Sequence, residues 1–154
     1  MKKTILLFIL LITAVFLPAQ TAEKLEQLLN TPSVSYGQAA WFILEAADVQ
    51  SISDNAVIPD NNEAFVYARE KEWLPKNAGP GDIARLEGVS LLLMESFGFK
   101  GGIFYSWTKN PHYAYRELVY LGVIQGRIDP KMIVSGDLLF YLVNRVLSIL
   151  ENPQ

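Results

Sequence analysis

The sequence predicts an all-α fold: about two and a half helical units of roughly fifty residues, packed in one compact bundle. Three observations predict it. Three strongly apolar stretches of helical length, Val34–Ala47, Ile83–Phe97 and Val134–Leu147, each follow a short polar opening. Their opening residues, Ser35, Ala84 and Ser135, lie 49 and 51 positions apart (84 minus 35, 135 minus 84). Between them, residues pair at an offset of 50: Ala64 with Ala114, Ala68 with Leu118, and Trp73-Leu74 with Val123-Ile124.

The elements follow in order. Lys2 and Lys3, then apolar Thr4–Leu17 and the small-residue site Pro18-Ala19, read as a secretory signal cleaved after Ala19. The alternative, a retained membrane anchor, suffers from an apolar run shorter than the ~20 residues a spanning helix needs. Residues 20–154 then form one helical domain. Thr21–Asn30 places Leu25, Leu28 and Leu29 on one face of a short amphipathic helix, which Asn30 and Pro32 end. Ser35 and Gln38 form a capping box for a helix through Ala47 that is apolar on all sides and therefore buried. Asp48–Asn62, rich in Asp, Asn and Ser, reads as a surface loop.

Glu63–Leu74 alternates apolar and charged residues at a helical period and stops at Pro75. The Gly- and Pro-containing turn after it carries Asp82, placed to cap the central helix Ile83–Phe97. Gly98–Pro111 is a connection with three Gly and the rings of Phe99, Phe104, Tyr105 and Trp107. Tyr113–Leu121 is a second amphipathic helix, ending at a Gly suited to the left-handed backbone after a helix. Ser135 caps the last core helix, which runs through Leu150. The core should contain Trp41, Ile43, Leu44, Val89, Leu92, Leu93, Leu139, Leu142 and Val143, with Phe104.

Composition narrows the function. Half the residues are apolar, enough for a core, and there is no Cys, which excludes disulfides, thiolate metal sites and a lipoprotein anchor. Removing Lys2 and Lys3 from 13 basic residues leaves 11 against 16 acidic ones, a charge that argues against nucleic acid. His112 is the only His and has no neighbouring Ser or Cys to form a nucleophile and base pair, so it caps or packs. Glu87 and Glu117 have structural uses, in a helix cap and beside Arg116. No phosphate-binding Gly motif occurs, and neither cofactor, metal nor enzyme activity is expected.

The order of an amphipathic helix, a Gly-bounded apolar doublet, a Pro-containing loop and a capped apolar helix resembles the S-layer homology (SLH) repeat. Gly122-Val123-Ile124-Gln125-Gly126, Ile128-Asp129-Pro130 and Val134–Leu138 carry the last unit, with Ile83-Ala84-Arg85-Leu86-Glu87 in the middle one and Val34–Gln38 in the first. The family motif opens its second helix with Ile-Thr-Arg-Ala-Glu; its Arg reads here as Arg85, and as Tyr36 and Gly136 in the other units. The resemblance covers residues 21–150. It implies a small helical module, its units packed in a pseudo-threefold bundle, that ties an exported protein to a polymer on peptidoglycan.

The expected location is accordingly the periplasm or cell envelope, and the expected partner a cell-wall polymer. The alternative is an adaptor or structural subunit that binds an envelope protein and has lost the polymer. Expected ligand-binding residues are Arg85, Tyr105, Trp107, Tyr113 and Arg116. Arg85 near a helix start opposes the dipole and needs a partner, either an internal carboxylate or an anionic glycan group. The aromatic residues offer flat faces to a sugar or a protein, or else cover the core. Gly98–Pro111 is expected to be the interaction surface, because it completes no unit and is too apolar for a spare linker.

Overall fold

The computed structural model describes residues 22–47, 60–126 and 128–152. The signal expected at 1–19 and residues 48–59 of the loop expected at 48–62 lie outside them. Among the described residues there are seven helices and no strand: α1 (22–29), α2 (Tyr36–Ala46), α3 (Asn61–Glu70), α4 (Leu86–Ser96), α5 (Ile103–Thr108), α6 (Pro111–Tyr120) and α7 (Gly136–Glu151). The all-α expectation holds. None of these helices is long and apolar enough to cross a membrane.

Helix starts follow their caps. Ser35 and Gln38 form the expected capping box on α2, with Ser35 N–H donating to Gln38 Oε1 at 2.9 Å and Gln38 N–H to Ser35 Oγ at 3.2 Å. Ser135 Oγ accepts from Leu138 N–H at 3.2 Å on α7. Helix α3 begins at Asn61, inside the stretch expected to be loop. Asp60 is the reason, since its Oδ1 accepts from the N–H groups of Asn62 and Glu63 at 2.7 and 2.9 Å. Asn110 does the same for α6 through His112 N–H at 2.9 Å, and Pro111 at the first helical position has no N–H to leave orphaned.

The central helix corrects the sequence reading. It starts at Leu86, because Ile83 and Arg85 are extended and form isolated antiparallel bridges with Ser35 and Ile133. Its opening residue is therefore Arg85, not Ala84, and the three openings 35, 85 and 135 stand 50 apart each time. Arg85 aligns with the two capping serines. The position aligned with Tyr36 and Gly136 is Leu86, which is fully buried. Asp82 does not cap this helix; its carboxylate accepts from Gly79 N–H at 2.7 Å. No side chain caps α4, since neighbouring backbone supplies the acceptors: Leu86 and Glu87 donate to the carbonyls of Met132 and Pro130 at 3.0 and 2.8 Å. Tyr36 and Gly37 likewise donate to Asp82 and Pro80 at 3.0 and 2.9 Å.

At the centre, three backbone hydrogen bonds close a ring. Ala84 N–H donates to Val34 C=O at 2.9 Å, Val34 N–H to Val134 C=O at 2.9 Å, and Val134 N–H to Ala84 C=O at 3.1 Å. All three residues are fully buried. Around the ring lies one core containing nine of the ten residues expected there, Trp41 among them at 9% exposure. Helices α3 and α6 pack outside α2 and α4 through Ala64 and Ala68, and through Ala114 and Leu118, all fully buried. They also end alike, with Trp73 N–H donating to Ala68 C=O and Val123 N–H to Leu118 C=O, both at 2.9 Å. The residue just before each of these donors has positive φ, Glu72 at 60° and Gly122 at 73°.

Candidate functional site

The segment 103–108 is a six-residue helix, α5, not an irregular connection. Its mounting is internal. Tyr105 is fully buried against the core, and its hydroxyl donates to a Glu95 carboxylate oxygen at the end of α4. Lys109 Nζ reaches the same oxygen at 2.6 Å and lies 4.7 Å from the Tyr105 ring centroid. Burial, then the Glu95 carboxylate, push the Tyr105 phenol far above its ordinary pKa. Tyr105 was expected to offer its ring to a ligand, and burial corrects that. It fastens α5 instead.

The other large residues of α5 face solvent. Ile103 is 77% exposed, Phe104 69% and Trp107 89%. Phe104, expected in the core, is a surface residue stacked on Tyr113, with ring centroids 5.6 Å apart and planes at 19°. A cleft of about 420 Å³ runs between α5 and α6, lined by Ile103, Phe104, Tyr113, Arg116, Glu117 and Tyr120. The α6 residues stand at i, i+3, i+4 and i+7, one helical face, while Ala114 and Leu118 occupy the buried face. Tyr113 and Arg116, both named from the sequence, thus share this cleft, while Trp107 stands on α5 outside its lining. Tyr120, 86% exposed, was missed, although that spacing carries it.

Arg85 stands apart. Helix α4 is 11 residues long, so about 15 Å of axis separates Arg85 at its start from Glu95 and α5 at its end. Arg85 lines a second cleft of about 550 Å³ with Tyr36, Pro75, Asn77, Asp82 and Ile83. Its internal partner is not the expected carboxylate: Nη1 donates to the Lys131 carbonyl at 2.7 Å. That bond ties the start of α4 to the loop before α7. Tyr36 roofs the same place; its hydroxyl accepts from Arg85 N–H at 3.4 Å, and burial raises its pKa. Gly88 makes room for it, because a Cβ there would fall on the Tyr36 hydroxyl.

No family model, curated protein or solved structure matches this chain. The geometry therefore carries the functional argument. It offers two surfaces at opposite ends of α4: a polar cleft with one exposed guanidinium, and an aromatic cleft beside a protruding apolar helix. Both present groups that bind through flat faces and charge-assisted hydrogen bonds.

Proposed function

We propose that the protein is an exported, non-catalytic binding module of the cell envelope, built from three SLH-like units around a pseudo-threefold axis, that attaches to peptidoglycan or an associated wall polymer. The observation that carries this reading is the recurrence of local structure every fifty residues: caps at 35, 85 and 135, caps at 60 and 110, and the closed ring at Val34, Ala84 and Val134. In this reading the polymer lies in the Arg85 cleft. The guanidinium keeps N–H donors beyond the one given to Lys131, and the Tyr36 and Asn77 side chains border the same space.

The test is co-sedimentation of the exported protein with purified sacculi. Wild type should pellet with them, and Arg85→Ala should pellet less while keeping its helical circular dichroism and a single unfolding transition. Equal pelleting by Arg85→Ala removes the cleft from the reading. A second reading, an adaptor that binds an envelope protein and no polymer, is favoured by Leu86 and Gly136 standing where the family motif has Arg. Crosslinking in cells separates the two, muropeptide adducts supporting the first and one dominant protein adduct the second.

A further inference from the structure

Helix α5 is amphipathic in the wrong sense for a globular surface. At 3.6 residues per turn, Ile103, Phe104 and Trp107 fall within one arc of about 100°, and Tyr105 lies on the opposite side. The arc is exposed and the lone opposite ring is buried. Such an arrangement leaves three large apolar side chains facing water, Phe104 covered on one face only by Tyr113, beside Tyr120, which is as exposed. The mounting is stiff. Tyr105 and Lys109 both hold Glu95, Ser106 Oγ donates to Gly101 C=O at 3.1 Å, and Thr108 Oγ1 donates to Phe104 C=O at 2.7 Å.

The charge around this helix departs from the rest of the molecule. From Phe97 to Arg116 the chain carries Lys100, Lys109 and Arg116 and no Asp or Glu, while the whole chain has net charge −3. The nearest carboxylates are Glu95, occupied by Tyr105 and Lys109, and Glu117, set in the cleft beside Arg116. An apolar tip of Ile, Phe and Trp with a basic rim is the chemistry that lodges at the boundary between lipid headgroups and acyl chains.

We propose that α5 is a membrane-docking wedge that seats the protein peripherally on a bilayer bearing anionic headgroups. Ile103, Phe104 and Trp107 enter the headgroup–acyl boundary, Tyr120 lies alongside, and Lys100 and Arg116 meet the phosphates while Lys109 stays paired with Glu95. A second copy of the chain fits this surface poorly, because face-to-face pairing brings the cations of both copies together. The inference goes beyond polymer binding and uses the other end of α4 from Arg85. A module engaged at both ends would hold a wall polymer at a fixed distance from a membrane.

The probe is flotation of the protein, as exported by expressing cells, with vesicles of equal parts phosphatidylcholine and phosphatidylglycerol. Wild type should float, and its tryptophan emission should be quenched by brominated lipid. Trp107→Ala and Phe104→Ala should each lower the partition coefficient about tenfold, and Lys100→Ala about fivefold. Added salt should weaken binding, and Trp107→Ala should abolish the quenching, because Trp41 is buried in the core and Trp73 packs against it and on Tyr67, away from α5. Val66→Ala, at a 51% exposed apolar residue on α3, should change nothing. The proposal is overturned if wild type does not float, if the α5 variants float and quench like wild type, or if Trp107→Ala instead dissolves a dimer or a protein complex. Sacculus binding by the α5 variants should stay at the wild-type level, so either reading can fail alone.

Discussion

Gly88→Ala probes the packing of α2 against α4 at its tightest point. The new Cβ would land on the Tyr36 hydroxyl and lie 2.8 and 2.9 Å from Cε1 and Cζ of the ring. The ring has little freedom to retreat. Tyr36 is buried, its N–H is held by Asp82 C=O at 3.0 Å, and Gly37 beside it is held by Pro80 C=O at 2.9 Å. Overpacking of this kind costs about 3 kcal/mol at the upper end of its range. Alanine recovers about 1 kcal/mol through helix propensity. The net loss is about 2 kcal/mol, or about 5–8 °C in Tm for a chain of this size. Urea unfolding followed at 222 nm measures it. Tyr36→Phe removes the worst clash and a long hydrogen bond of 3.4 Å from Arg85 N–H, at a cost of about 0.5 kcal/mol. In the double variant the two losses should fall short of their sum by about 1 kcal/mol. A Gly88→Ala protein as stable as wild type, or strict additivity, would refute the insertion of this ring.

Other outcomes follow from the same coordinates. Glu72→Gly should raise stability by about 0.5–1 kcal/mol, because Glu72 holds φ at 60° where Gly122 stands at the corresponding turn; thermal melts check it. Leu92→Ala should cost about 2–5 kcal/mol by opening a cavity at a fully buried site, read by denaturant midpoint. Tyr36 and Tyr105 have folded pKa values raised above the unfolded value near 10. Their contribution is whole below pH 10 and shrinks as the pH climbs above it, because the unfolded chain then gives up phenolic protons that the fold retains. Ultraviolet titration should find these two of the seven tyrosines silent until the protein unfolds.

The core was legible because it depends on period and polarity, which a sequence displays directly. Every residue expected there but Phe104 is buried, and the Ser35–Gln38 capping box forms as its spacing requires. The central opening misled for a local reason: Ile83-Ala84-Arg85 reads as the first turn of a helix, yet two bridges to distant residues hold it extended. Only the offset of 50 that relates Ala64 to Ala114 could have placed Ala84 opposite Val34 and Val134. Helix α5 was hidden because large apolar residues normally mark an interior, and here burial selects Tyr105, the one ring in the helix with a hydroxyl to satisfy, through a carboxylate ten residues away. Asp60 and Asn110 could have been read as caps, since each precedes a helical period by one residue.

The ring at Val34, Ala84 and Val134 ties the fate of every part of the chain to every other. Each residue gives its N–H to one neighbour and its C=O to the next, so removal of any one segment strands a donor on one side and an acceptor on the other, in a place no water reaches. A fragment ending before α6 would keep only the bond from Ala84 to Val34, with Val34 N–H and Ala84 C=O left bare. Partial folding is thereby penalised at its core, and truncated chains should be targets for proteolysis, not smaller working modules. The same closure demands that contacts fifty and a hundred residues apart in sequence form together, which sets a slow, concerted assembly. A chain of this design would stay unfolded while its last third was still missing.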